Sequence, residues 1–340
     1  MMVDTSLYRE LPRTEHGSAE WLEARLAGIG SSEISALFGL VDWDSAWSVW
    51  LRKTRRVPAD QGIDTEAMFW GRALEPIIRQ VTCERLRLTV ETPGTLQSIT
   101  HPYMLYSPDG ILRAPEGQAH DLDGALLETK NTAWFMASKW DGQIPDHAEI
   151  QVHHGMLVTG AKRSVVAGLI GGNRLEIAVV ERNDRLIDLI EAKASDFWHN
   201  HVVPDIEPPI GGTSADRASV DHLYPLGEGD IRVTREQIAG PHAELRDARK
   251  ARAEAERREK AAEHEIRRLM HGGNRLLIGD QEVVRLKGAR LRTRDLAADH
   301  PDLFEQYRNL PTFNFAEFRE DHPDLYARYQ SHSLQLKEVA

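Results

Sequence analysis

The segment Ala125-Leu126-Leu127-Glu128-Thr129-Lys130 constrains this chain most, because it sets an acid and a lysine into an otherwise apolar stretch of strand character. Side chains alternate along a strand, so Glu128 and Lys130 face one side while Leu127 and Thr129 face the other. Upstream, Tyr106-Ser107-Pro108-Asp109-Gly110 reads as a turn closing a second apolar run. The spacing fits two adjacent strands, which brings the carboxylates of Asp109 and Glu128 and the ammonium of Lys130 to one spot.

Carboxylates placed in this way suit a hard divalent cation. Mg²⁺ takes one or two of them and keeps waters and phosphate oxygens in the rest of its octahedron. Such an ion lowers the pKa of a bound water and offsets charge on a phosphate, while a lysine two residues from a ligand can orient the attacking water. Phosphodiester hydrolysis is the reaction this arrangement suggests. A surface salt bridge at a strand end is the plain alternative for an isolated acid–lysine pair.

Further segments bear on the choice. Trp70-Gly71-Arg72-Ala73-Leu74-Glu75-Pro76 opens an amphipathic helix whose apolar positions Leu74, Ile77, Ile78 and Val81 recur at helical spacing. Glu75 can present a third carboxylate from it, and Pro76 reads as a first-turn proline. A second helix begins at Pro145-Asp146-His147, with His147, Gln151 and His154 on one face as a solvated polar stripe. No Cys or Glu stands at zincin spacing beside those histidines, so zinc is disfavoured. In Arg25-Leu26-Ala27-Gly28-Ile29-Gly30-Ser31-Ser32-Glu33, the glycines and the hydroxyl pair cap a helix from Glu33 to Phe38. Its free N–H groups suit an anion as well as a cap, and Arg25 can add a bidentate phosphate contact.

In this order the segments resemble the YqaJ-type phage recombinase nucleases, relatives of lambda exonuclease in the PD-(D/E)xK superfamily, over about residues 15 to 205. Ala148 and His153 stand where relatives often carry Tyr and Gln, and Ser31-Ser32-Glu33 replaces a more usual Gly-Ser-Asp. The resemblance implies an α/β fold, a PD-(D/E)xK core with a central mixed sheet flanked by helices, and a mainly helical C-terminal extension. It makes Asp109 and Glu128 the principal metal ligands with the Thr129 carbonyl as an extra oxygen. Lys130 becomes the residue that positions the attacking water, Glu75 the auxiliary acid near a second metal, and Gln151 the supporting amide. Arg25 and Ser32 match positions that hold a 5′-terminal phosphate. The implied activity is a Mg²⁺-dependent 5′–3′ exonuclease, with Mn²⁺ as a substitute, that resects double-stranded DNA ends to 3′ single strands for phage-type recombination. The implied partners are a single-strand annealing protein and other copies of the chain, a trimer by resemblance. An endonuclease or nickase without end selection is the nearest rival, and a non-catalytic DNA-binding assembly protein is the more distant one.

Composition sets wider bounds. With 42 basic and 53 acidic residues the net charge is −11, so DNA contact needs a local basic lining rather than a basic whole. Arg52, Lys53, Arg55 and Arg56 form one basic cluster, read as a solvated loop. The single Cys83 rules out a disulfide framework and a cysteine zinc site and fits a reducing cytoplasm, here that of a bacterial host carrying a phage or prophage. The absence of an apolar run of ~18 residues points to a protein without a membrane role. Trp43, Trp47 and Trp50 are expected to be packing anchors rather than base-stacking platforms.

The expected organisation is a nuclease core over 1–205, a Pro/Gly-rich linker or arm over 206–232, and an extension over 233–340. Within the core, Arg163–Ile170 and Leu175–Val180 read as a β-hairpin and 184–200 as a closing helix. In the extension, Pro241 to His271 reads as a long charged helix with Leu245 and Leu269 on its packing side, followed by a strand pair over 276–286. Asp299-His300-Pro301-Asp302-Leu303 recurs as Asp321-His322-Pro323-Asp324-Leu325, a shift of 22 residues. Each copy reads as a helix start, and the tail is expected to contact DNA, a neighbouring subunit or a partner.

Overall fold

The computed structural model describes residues 3–14, 18–58, 65–225, 229–309 and 312–336. The chain divides into two compact units, Met1–Glu228 and Gly229–Ala340.

The first unit opens with β1 (Tyr8–Glu10), α1 (Ala19–Leu26), β2 (Ile29–Gly30), α2 (Ser31–Leu37), α3 (Ala46–Lys53) and the long α4 (Glu66–Leu86). The strands β3 (Thr89–Glu91), β4 (Leu96–Ser98), β5 (Met104–Tyr106), β6 (Gly110–Arg113) and β7 (Leu126–Thr132) follow. It closes with α5 (Asp146–Thr159), the hairpin β8 (Arg163–Ile170) and β9 (Arg174–Glu181), α6 (Asp184–Phe197) and α7 (Ser214–Leu223). A five-stranded sheet runs β3-β6-β7-β8-β9, with β7 and β8 parallel and its other pairs antiparallel. A smaller four-stranded sheet runs β1-β4-β5-β2.

Strand β7 lies at the centre of the larger sheet, and its alternation divides the core. Leu126 packs into the cluster that contains Val152 and Met156 of α5 and Ile190 of α6. Leu127 packs on the opposite face with Ile78 and Cys83 of α4. The architecture is therefore mixed α/β, with helices on both faces of a mixed sheet. Among the described residues no helix is long and apolar enough to cross a membrane.

Several elements differ from their sequence-based expectation. Helix α4 starts well before Trp70, because the Thr65 hydroxyl caps it by accepting from the Met68 N–H at 3.2 Å. Pro76 consequently sits in the helix interior, where it forfeits a backbone hydrogen bond, on a side where Ile77 is also exposed. Helix α2 is capped by Gly30 rather than by a serine, and the Glu33 carboxylate closes back on the Gly30 N–H at 2.9 Å. Part of the stretch expected to be a linker or arm over 206–232 is helical. Thr213 and Asp216 form a reciprocal cap at the start of α7, and the Asp216 side chain also accepts from Ser45. Trp47 and Trp50 are buried as expected, whereas Trp43 is exposed. The basic cluster is a solvated turn only at Arg55 and Arg56, which are exposed; Arg52 and Lys53 instead end α3 and are largely buried, and the four cations meet Asp44, Glu33, Glu23 and Asp205.

The second unit begins with α8 (Arg235–Met270), which starts upstream of Pro241 because Thr234 and Gln237 cap each other, at 2.8 Å from Thr234 N–H to Gln237 Oε1. The side expected to pack is open: Leu245 and Leu269 are exposed, and Met270 is the helix's buried residue. Next come β10 (Arg275–Ile278), β11 (Gln281–Leu291), α9 (Thr293–Asp299), α10 (Pro301–Tyr307), β12 (Arg308–Asn309), β13 (Thr312–Phe313), α11 (Phe315–Asp321), α12 (Pro323–Arg328) and β14 (Gln330–Leu336). The expected strand pair gains β14 as a third strand, in the order β10-β11-β14.

The repeat turns out to be reciprocal. The Tyr307 hydroxyl donates to Asp321, and the equivalent Tyr329 hydroxyl donates to Asp299, so each tyrosine is satisfied by the other copy. The backbone follows the same exchange: Arg292 N–H donates to Tyr329 O and Asn314 N–H to Tyr307 O, both at 2.6 Å. Leu296 and Phe318, at equivalent positions, are fully buried between the copies. Neither copy can close its own core. A stop after residue 309 is therefore expected to unfold the remaining copy, read as loss of hydrogen-exchange protection at Leu296 and Tyr307; retained protection would show that one copy folds alone.

Candidate metal-dependent active site

The site forms where β6 parts from β7. The ladder between the two strands runs from the Leu112–Ala125 backbone bond through Ile111↔Leu126 to Gly110↔Leu127 and stops there. Beyond that point the Asp109 carboxylate takes over the partner's role: its Oδ2 accepts from the Thr129 N–H at 2.6 Å and from the Thr129 hydroxyl at 2.7 Å. The N–H and C=O of one strand residue project to the same edge, so the Thr129 carbonyl also opens toward this gap. Gly110 permits the bend, since a Cβ there would lie 2.3 Å from Val90 Cγ2.

On the α5 face of the sheet, Lys130 Nζ donates to Glu128 Oε1 and to Gln151 Oε1, both at 2.7 Å. Gln151 Nε2 in turn points to Ser31 Oγ at 3.5 Å. From α4, Glu75 reaches the gap through Arg79, whose Nη1 donates to Glu75 Oε1 at 2.8 Å and to the Asp109 carbonyl at 2.9 Å. The contacts form two sets that adjoin along β7, Asp109 with Thr129 and, through Arg79, Glu75, and Lys130 with Glu128 and Gln151; across them the charges of Asp109 and Glu75 act on Glu128.

Electrostatics mark Glu128 as the strained member. It is 3% exposed, and its Oε2 is buried with no hydrogen-bond partner. Burial pushes its carboxyl up to about 7, Lys130 opposes this, and the charges of Asp109 and Glu75 add to the rise. Burial and the nearby Asp109 likewise raise Glu75. Lys130 and Arg79 only partly offset burial and the mutual repulsion of these carboxylates, and an orphaned carboxylate oxygen together with Asp109 and a strand carbonyl is an all-oxygen donor set for a hard cation. Among the described residues no three His, Cys, Asp or Glu side chains cluster closely enough to hold a metal by themselves. One or two carboxylates suffice for Mg²⁺, so the donor set fits.

The polar stripe on α5 is not solvated as expected. His154 is fully buried with Nε2 against the Leu105 carbonyl at 3.0 Å, and His153 is buried with Nδ1 against Glu149 O at 2.8 Å. Burial lowers His147 and His154 to about 4, so both rings are neutral at pH 7. Arg25 stacks over Trp21 at 4.8 Å and lies in the field of Glu33, while Ser32 is exposed. It is Ser31 that reaches Gln151.

Sequence reasoning missed Arg79, although its i,i+4 spacing from Glu75 was a usable signal. It also missed Tyr106, whose ring packs on Gly155 beneath the site and whose hydroxyl is buried without a partner. A Cβ at position 155 would lie 2.6 Å from the Tyr106 ring. Gly155→Ala is therefore expected to cost ~1–3 kcal/mol as an overpacking change, measured by denaturant unfolding, and an unchanged midpoint would show that the ring has room to move.

Residues 20–162 match the family described as the YqaJ-like viral recombinase domain. Every site residue named above from Arg25 to Gln151 falls within the matched residues. The chain is 27% identical over 305 residues to the uncharacterized protein YqaJ of Bacillus subtilis (strain 168), covering 87% of this chain and 92% of that protein. Among solved structures it is similar to the alkaline exonuclease LHK-Exo from Laribacter hongkongensis, in its complex with dAMP, with TM-score 0.44, 22% identity, and 56% of this chain and 95% of that one covered. It is also similar to a phage-related exonuclease from Haemophilus somnus 129PT, with TM-score 0.35, 10% identity and coverage of 50% and 91%.

Proposed function

We propose that this chain is a Mg²⁺-dependent deoxyribonuclease of the PD-(D/E)xK type, a 5′–3′ exonuclease that resects duplex DNA ends to 3′ single strands for recombination. The observation that carries the reading is the buried, unpartnered Glu128 Oε2, whose carboxyl feels the charges of Asp109 and Lys130. Asp109, Glu128 and the Thr129 carbonyl would hold the ion, with Glu75 serving a second one. When bound, the ion supplies a water of lowered pKa and offsets charge on the scissile phosphate.

The chain's own residues do the rest. Lys130 has three N–H donors, of which Glu128 and Gln151 take two. The remaining donor is free to orient the attacking water. Gln151 fixes the lysine's direction, and its link to Ser31 couples that direction to the turn where α2 begins. Arg79 holds Glu75 and the Asp109 backbone in register. Arg25 and Ser32 are assigned to a 5′-terminal phosphate, with Trp21 bracing the guanidinium.

The reading extends to partners by the same resemblance: duplex ends as substrate, a single-strand annealing protein, a homo-oligomer such as a trimer, and the bacterial cytoplasm as the place of action. Linear duplex labelled at the 5′ or the 3′ end, set beside closed circles, tests it. Loss of nucleotides from 5′ ends with Mg²⁺, none with chelator and intact circles are expected. Cut circles would transfer the site to an endonuclease, and no hydrolysis of any substrate would reject the activity.

A further inference from the structure

We propose that Trp43 is a stacking platform for the unpaired terminal nucleobase of a DNA end entering the site, a role that rests on the nuclease reading above. Trp43 is 68% exposed, although Trp47 and Trp50 of the same stretch are 2% exposed. A large aromatic surface left in water forgoes the stabilisation that burial gives its neighbours.

The exposed ring stands on a braced backbone. On one side of it, the Asp42 carboxylate accepts from the Ser214 N–H at 3.1 Å, and the Asp42 carbonyl accepts from the Ser214 hydroxyl at 2.7 Å and the Ala215 N–H at 3.2 Å. On the other side, the Asp44 carboxylate accepts from Arg52 at 2.6 Å and from the Ser45 N–H at 3.0 Å. Helices α7 and α3 therefore hold both neighbours of Trp43. A preorganised aromatic loses little freedom when a ligand stacks on it.

Its position points to the site. Trp43 meets His147 edge to face with ring centroids 5.6 Å apart, and His147 stands one turn of α5 before Gln151, whose Oε1 accepts from Lys130 at 2.7 Å. The His147 ring is neutral at pH 7, so it braces the indole without competing as a cation. The flanking carboxylates of Asp42 and Asp44 disfavour a phosphate at the same spot, whereas the uncharged face of a base meets no such barrier. Base–aromatic stacking is tolerant of sequence because every base has a π-face, which suits an enzyme that must process any end.

The test is a coupling measurement in chelator, where no DNA is cut. Duplexes whose terminal unpaired nucleotide carries a base or is abasic are titrated against the wild-type chain, Trp43→Ala and Trp43→Phe by fluorescence anisotropy. The wild type is expected to lose roughly tenfold in affinity when the base is removed, the order of one base–aromatic stack. Trp43→Ala should lose about as much with the base present and nothing further without it, while Trp43→Phe keeps most of the discrimination. Penalties that simply add, with Trp43→Ala still preferring the base, would overturn the proposal. Hydrolysis of linear duplex with Mg²⁺ is read separately, so a failed nuclease reading shows there while base coupling is still scored in chelator. No binding of DNA by the wild type would reject both.

Discussion

Lys130→Ala and Glu128→Gln are each expected to slow hydrolysis of linear duplex by on the order of 10³-fold, the scale on which a positioned proton-handling group contributes. Their effects on stability should differ. The Glu128 carboxyl titrates at about 7 in the folded chain against 4.5 for its ordinary value, because it is buried and faces Asp109 and Glu75. Between those values the folded state keeps a proton that the unfolded state has released, so stability falls as pH rises through the window. At pH 8 the full cost is present, up to roughly 3 kcal/mol without a cation. Glu128→Gln removes it and should raise the metal-free melting temperature at pH 8 even as hydrolysis slows by that factor. A variant that melts lower and still cuts would contradict both halves.

Lys53→Met is expected to be the most destabilising single change outside the apolar core. Lys53 Nζ is buried between the Arg25 carbonyl and Glu33 Oε2, both at 2.7 Å, and so ties the end of α1 to the start of α2. Burial works against the Glu33 charge, and Lys53, Arg25 and Arg52 overcome it, holding the carboxyl down at about 2. Removing the ammonium leaves a buried carboxylate without its main partner, a loss of ~3–5 kcal/mol and roughly 10 °C in melting temperature. Glu33→Gln combined with Lys53→Met should recover much of it. The pH profile follows from the same pair. The stabilisation is complete above 4.5 and disappears as pH falls through about 2, so acid unfolding in that window should be steeper in the wild type than in the double variant. Equal melting temperatures for wild type and Lys53→Met would remove the pair as a structural tie.

The central triad was legible because strand alternation is strict. An acid and a lysine two apart in an apolar strand must share a face, and here they bond each other while Leu126 and Leu127 pack on opposite sides of the sheet. Gln151 enters the site through the resemblance, since helical spacing alone sets it in a polar stripe with His147 and His154. The basic run at 52–56 was not, since its partners Glu23, Glu33, Asp44 and Asp205 come from other segments and only tertiary structure joins them. Pro76 and Pro241 both point to helix starts because proline favours that position. In each case a threonine cap several residues upstream set the true start. The Thr213–Asp216 cap of α7 was visible in principle, but the surrounding prolines and glycines outweighed it. The repeat was plain as sequence, yet nothing in two similar strings reveals that each tyrosine bonds the other copy's aspartate.

The claim at the centre is that a hard divalent ion sits between Asp109 and Glu128. Mn²⁺ binding to the wild-type chain, followed by its paramagnetic signal across pH, tests it most directly. Affinity should fall about tenfold per unit of pH below the Glu128 titration near 7, and Glu128→Gln should abolish the tight site. Binding that is independent of pH and unchanged in Glu128→Gln would contradict the account.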